Sequence, residues 1–354
     1  MEKNPAIHAP RQVFVVGSSR SGTTMMCRII GNNAQVHFFR ELHFFENTWL
    51  PKIPPEEIDR DKARAMLCQL IGIQREGYLK IKNTSKYGPE AEAMLAEIGT
   101  APLTPPLIYA EFLRQEAQAN GAPIAVEQTP AYALYISELL SLYPQARFLH
   151  MIRDPRSVLS SQRKKWRRRI YDKEGSGFTR FETVRAWANY HPWTTSKLWK
   201  AAVASVAAVQ DNPRVMTVQF EDLADNSEAV IARVCAFLDI PFDPDMLLVP
   251  QIGSSYSAGN KQALGIDPKI AGSSWVGKLP KTDVTICDAL CGDLMARFGY
   301  ETARDKSPLP LVIGSYIVMP FKLGFAILLN LGRTKNLLKS IGRRLTPARR
   351  SGEA

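Results

Sequence analysis

The sequence predicts an α/β fold, a central parallel sheet with helices on both faces and a helical insertion. Three observations carry this. A β-branched apolar run at residues 12–16 stops at Gly17, and a helical pattern follows at 23–30, closed by Gly31 and Asn32. The plan recurs at 147–152, an apolar run that meets Asp154 as N-cap and Pro155 at the first helical position, with a helix to about Arg169. Two more strand–helix pairs lie at 124–126, before a helix capped by Thr129-Pro130 and running to about Tyr143, and at 215–219, before a helix at 227–238. Strands alternating with helices make a parallel sheet covered on both faces, whose ligands sit at the carboxyl ends of the strands.

The chain has 354 residues, 45% apolar and 22% charged, which is globular composition with ample material for a core. Its net charge of +11 is unevenly spread. Two acid-free runs, 163–169 with six basic residues and 333–350 with seven, hold thirteen positive charges, so the rest of the chain sums to −2. That describes a near-neutral body with two basic patches and excludes a uniformly cationic nucleic-acid binder. The five cysteines are an odd number without paired metal-ligand spacing; Cys287 and Cys291 stand four apart on a helix. A reducing compartment and no metal site are expected. Residues 1–11 carry no apolar stretch of the secretory type, so a cytoplasmic location is expected.

The richest motif is Gly17-Ser-Ser-Arg-Ser-Gly-Thr-Thr24. It joins a strand to a helix N-terminus, where unpaired backbone N–H groups and the positive end of the helix dipole attract anions. Gly17 and Gly22 allow close approach, and Ser18, Ser21, Thr23 and Thr24 add donors around Arg20. The glycine spacing is that of a nucleoside-triphosphatase loop, which makes the sheet P-loop-like. Thr23 nevertheless stands where such a loop carries its Lys, and no magnesium carboxylate is evident, which argues against a nucleotide kinase.

At Arg20-Ser-Gly-Thr-Thr24 the chain resembles the sulfotransferases that use 3'-phosphoadenosine-5'-phosphosulfate, whose loop has Lys or Arg before Ser-Gly-Thr-Thr. Relatives also carry a strand-end Arg and a Ser eight residues on, matched here by Arg153 and Ser161; the resemblance implies that both hold the 3'-phosphate. A guanidinium and a hydroxyl two helical turns apart can converge on one phosphate. Gln219-Phe-Glu-Asp-Leu223 is similar to the family's Tyr-Glu-Asp-Leu stretch, with Phe220 in place of Tyr and readable as ordinary core. Ser274-Trp-Val-Gly-Lys278 resembles the segment that closes over the 3'-phosphate and makes Lys278 a contact. The resemblance runs from about Val13 to Tyr300 and implies transfer of a sulfonate group to a hydroxyl acceptor, with no metal required.

Tyrosylprotein-type and several bacterial members carry a catalytic Glu at the position of Glu41, so the resemblance implies Glu41 as base, with His43 as the second candidate and Arg20 steadying the sulfonate. An apolar setting among Phe39, Leu42, Phe44 and Phe45 is expected to raise the Glu41 pKa. A purely structural pairing of Glu41 with Arg40 or Arg28 is the alternative. One departure stands out: Gln128 occupies the place of a Lys that relatives use to neutralise the sulfonate. Either other residues supply that charge, or the chain is a catalytically weak or inactive nucleotide-binding membrane protein of the same fold.

The chain thus reads as one sulfotransferase domain at 1–305, with a proline-rich helical insertion at 49–123 on the acceptor side, and a C-terminal extension at 306–354. Residues 309–332 contain a single charge, Lys322, interrupted by Pro310, Gly314, Pro320 and Gly324, and the basic run follows. An interfacial or hairpin membrane anchor facing anionic headgroups is expected, with a true span or a helix packed on the domain as alternatives. Such a tail favours a lipid or lipid-linked glycan as acceptor.

Overall fold

The computed structural model describes residues 11–78, 80–167, 179–250, 265 and 275–330. Five parallel strands form one sheet in the order β2–β3–β1–β4–β5. They are β1 Arg11–Gly17, β2 Val36–Phe38, β3 Ile124–Glu127, β4 Arg147–Ile152 and β5 Val215–Gln219. Four answer to the apolar runs in the sequence. The fifth, β2, has three residues, too few for a two-residue period to register. On one side of β1, Val13 lies opposite Val126 of β3; on the other, Val15 lies opposite Leu149 of β4. The chain order reverses at β1, which opens a crevice at the carboxyl ends of these three strands.

Strand alternation sorts the core into layers. Phe14, Val16 and Phe148 face a layer built with α2 (Arg60–Glu76), α4 (Pro105–Ala119), α5 (Ile136–Leu142) and part of α8 (Pro192–Ala207). Val13, Val15, Leu149 and Met151 face α1 (Thr23–Gly31) and α10 (Ser227–Leu238). A third cluster packs α6 (Pro155–Arg163) and α8 against α11 (Lys281–Arg297), where Cys287 and Cys291 are buried thiols. The remaining helices are α3 (Gly88–Ile98), α7 (Arg180–Ala188), α9 (Phe220–Asp225) and α12 (Leu309–Asn330).

The structure adds detail to these expectations and corrects some of them. The helix after Asp154-Pro155 ends at Arg163 rather than near Arg169, followed by a 3-10 turn at Lys165–Arg167; like charges one helical turn apart disfavour its continuation. Thr129 does not cap the next helix: Pro130–Tyr135 is a 3-10 turn, and the Thr129 hydroxyl donates instead to Glu127. Residues 49–123 hold α2, α3 and α4; α4 is core, covering β1 and β3 from one face, and the Tyr78 ring just after α2 lies 4.6 Å from the His43 ring. Finally, α12 is one 22-residue helix running through Pro320, with no hairpin among the described residues. The end of the basic run at 168–169, the segment 266–274 and the basic tail at 333–350 lie outside the described residues.

Candidate active site

The loop after β1 depends on its two glycines. A Cβ on Gly17 would sit 2.3 Å from the Met151 carbonyl oxygen, so only glycine lets β1 approach β4 this closely here. Gly22, at φ 94°, is the N-cap of α1, and a Cβ there would meet the Phe220 ring at 2.3 Å. No side chain among the described residues caps α1, so its first N–H groups open toward the loop. Ser18, Ser21 and Thr23 are buried, Thr24 is exposed at the helix start, and the fully buried Ser21 Oγ has no hydrogen-bond partner among the described residues. A glycine-lined cradle with an orphaned hydroxyl and open helix N–H groups fits an oxyanion such as a phosphosulfate.

Arg20, at φ 79°, turns its side chain onto α6, where its Nε donates to Ser161 Oγ at 2.9 Å. Arg153, at the end of β4, reaches the same loop, its Nη1 lying 3.4 Å from the Arg20 carbonyl oxygen. The Arg153 guanidinium lies 4.1 Å from the centre of the Phe220 ring, so Phe220 is core and also the platform under this cation. Burial pushes the Arg153 pKa down, while the charges of Glu221 and Asp154 oppose that. Glu221 is fixed by the Asp154 amide at 3.0 Å and the Tyr300 hydroxyl at 2.8 Å.

A second group converges on the crevice from β3. Gln128 Nε2 donates to Glu41 Oε1 at 3.0 Å and lies 3.2 Å from Thr23 Oγ1, while His43 Nε2 lies 3.3 Å from Glu41 Oε2. The Arg40 guanidinium instead donates to the Gln74 carbonyl, so it is not the partner of Glu41. Phe39, Leu42, Phe44 and Phe45 are buried in the core, whereas the Glu41 side chain keeps 43% exposure. The expected pKa shift is reversed. Burial pushes the Glu41 carboxyl up, but the hydrogen bond and charge of His43, the Gln128 amide and the charge of Lys165 together bring it below the ordinary value.

The sequence reading missed Glu127, whose side chain is completely buried at the end of β3. Its Oε1 accepts from the Leu42 amide at 3.1 Å and the Thr129 hydroxyl at 2.6 Å; Thr129 Oγ1 accepts from the His43 amide at 3.3 Å, and the Tyr132 hydroxyl from the Phe44 amide at 2.8 Å. Three successive amides beside Glu41 are thus pinned by side chains that follow β3. Burial raises the Glu127 pKa to about 8, so this carboxyl is largely protonated at neutral pH. An acid in an otherwise apolar strand, just before Gln-Thr-Pro, was the available signal.

Arg20, Arg153 and Ser161 therefore form one group, and Glu41, His43, Gln128 and Thr23 another, on a shared loop. Lys278 stands apart, in the wall of a cleft with Ser160 and Arg163, where its carbonyl faces Arg163 Nη1 at 3.4 Å.

A phosphate-cradling loop at the switch point of a parallel sheet, with an arginine pair and a carboxylate beside it, defines an α/β protein of the group-transfer class. The sulfotransferase family model matches residues 10–244, and the chain belongs to that family. It is 26% identical over 181 residues to protein-tyrosine sulfotransferase A of Caenorhabditis elegans, covering 48% of this chain and 42% of that protein. The chain thus spans about two fifths of the length of this curated relative. Among solved structures it is similar to the sulfotransferase domain of the curacin biosynthetic pathway, at 17% identity over 83% of this chain and 99% of that one, with a TM-score of 0.48. The sulfotransferase domain of the Synechococcus PCC 7002 olefin synthase follows at 18% identity, 82% and 98% coverage and a TM-score of 0.46.

Proposed function

We propose that this chain transfers a sulfonate group from 3'-phosphoadenosine-5'-phosphosulfate to a hydroxyl acceptor. The observation that carries the reading is the single amide of Gln128 standing between the Glu41 carboxylate and Thr23 of the anion loop. It brings a proton acceptor to the place where the loop would hold a transferable oxyanion. When bound, the nucleotide supplies a sulfonate activated by its anhydride to the 5'-phosphate.

The chain's own residues divide the remaining work. The amides that open α1, with Ser21, Thr23 and Thr24, hold the phosphosulfate oxygens and stabilise charge at the leaving phosphate. Arg153 and Ser161 hold the 3'-phosphate, and Arg20 links that end to the loop through Ser161. Glu41, ionised at neutral pH, takes the proton of the acceptor hydroxyl. His43 and Gln128 orient it, and Glu127 and Thr129 pin the backbone on which it rides. Lys165, whose charge acts on Glu41, supplies a cation that the neutral Gln128 does not.

Thermal stabilisation of the purified chain tests the nucleotide, because a ligand that binds only the folded state raises the melting temperature. Stabilisation by 3'-phosphoadenosine-5'-phosphate, lost in Arg153→Ala, is expected. Stabilisation by ATP with magnesium alone would replace sulfonate transfer with phosphoryl transfer. Glu41→Gln is expected to keep the stabilisation and lose turnover with an acceptor found by screening.

A further inference from the structure

Helix α12 is built inside out relative to an ordinary surface helix. Its most apolar stretch has a mean hydropathy of 1.9, and none of that stretch is buried in the protein. Leu309, Leu311, Ile317, Val318, Phe321 and Leu328 all stand more than half exposed. Its polar groups turn to the domain instead. Ser315 meets His191 Nε2 through its carbonyl at 3.2 Å, Lys322 Nζ lies 4.5 Å from the Trp187 ring centre, and Asn330 bonds Asn189 at 2.8 Å and Arg185 at 3.0 Å. These three residues are spaced at seven and eight, two helical turns each, and so form one stripe along the helix. In water such an orientation exposes a contiguous apolar band, and bands of that kind mark docking faces.

Helix α7 extends the band, since Phe181, Val184 and Trp187 are exposed on it. Beside it a cleft of about 710 Å³ opens between α6, α7, α8, α11 and α12. Arg163, Lys164, Lys278 and Lys322 line it together with Trp166 and Tyr190. In the sequence, seven further basic residues and no acid follow within positions 333–350. Apolar band and cations together have the chemistry of an anionic lipid surface.

We infer that the outward face of α12, continued by α7, lies flat in the headgroup–acyl boundary of an anionic bilayer, with the cationic cleft taking phospholipid headgroups. A perpendicular crossing does not suit the helix. It is tied to the domain from Ser315 to Asn330, about 22 Å at ~1.5 Å per residue, so a span would draw α7 and its Glu182–Arg185 ion pair into hydrocarbon. The inference is independent of the sulfonate-transfer reading, and each is measured separately.

The test is co-sedimentation of the full chain with vesicles of phosphatidylcholine alone and of phosphatidylcholine mixed with phosphatidylserine, at low and high salt. Binding to the anionic vesicles, weakened by salt and by omission of phosphatidylserine, is expected. Phe321→Glu with Leu328→Glu should lower that binding about tenfold or more, while an unchanged circular-dichroism spectrum and a cooperative thermal transition show the variant to be folded. Failure to bind either vesicle, or binding unchanged in the double variant, would overturn the inference. So would a dimer in light scattering that the same substitutions convert to a monomer, because the face would then belong to a second copy of the chain.

Discussion

Gln128 Nε2 donates to Glu41 Oε1 at 3.0 Å, and the same nitrogen lies 3.2 Å from Thr23 Oγ1. One neutral amide thereby couples the proton acceptor to the anion loop. Gln128→Leu should leave nucleotide stabilisation intact and lower kcat by about 10²-fold, the scale of losing one preorganised donor. Steady-state kinetics that show an altered KM with unchanged kcat would instead make Gln128 a binding residue.

The Glu41 pKa is a balance, and its sign can be moved. A carboxylate held below its ordinary value is active above that pKa and loses function only as pH falls through it, so the acid limb of the rate should lie below about 4.5. In His43→Leu the lowering hydrogen bond and charge are gone while burial remains, and the limb should move to higher pH. A pH profile of kcat/KM in the two proteins decides this; an unmoved limb would take His43 out of the site's electrostatics.

Glu127 makes the opposite prediction, and it concerns stability. Its folded pKa of about 8 exceeds the unfolded value near 4.5, so the folded state holds the extra proton between these values and stability falls as pH rises through that window. Glu127→Gln should flatten the dependence of melting temperature on pH between 5 and 8, where the wild-type slope is expected. Glu127→Ala leaves the Leu42 amide and the Thr129 hydroxyl without their acceptor and should cost about 1–3 kcal/mol, read by urea denaturation.

Arg153 and Phe220 form one unit. Arg153→Lys keeps a charge but gives up the planar stack on Phe220 and bidentate reach, so it should lose most stabilisation by 3'-phosphoadenosine-5'-phosphate. Phe220→Leu should weaken that stabilisation by a smaller amount, because the guanidinium remains but loses its platform. Equal binding by wild type and both variants in calorimetry would remove this stack from the nucleotide site.

The local elements were legible in the sequence because their causes are local. Apolar runs, Gly17 and Gly22, and the Asp154-Pro155 cap act over a few residues, and they place β1, β3, β4, β5 and the anion loop at the sheet's carboxyl edge. The motifs brought Arg153 and Ser161 to one crevice, but that Ser161 accepts from Arg20 was not legible, since it depends on how the loop after β1 meets α6.

What the tertiary structure alone decided were the quantities that depend on surroundings. A sequence shows the phenylalanines beside Glu41 in the chain but not that His43, Gln128 and Lys165 outweigh the burial of its carboxyl, since a pKa sums contributions from residues scattered over the chain. Nor does it show that Glu127 is sealed in and largely neutral, or that the three-residue β2 pairs with β3. Composition marked 309–332 as apolar, but only packing decided that its polar side turns inward and its apolar side outward. A helix's orientation is fixed by what its neighbours offer, here His191, Trp187 and Asn189.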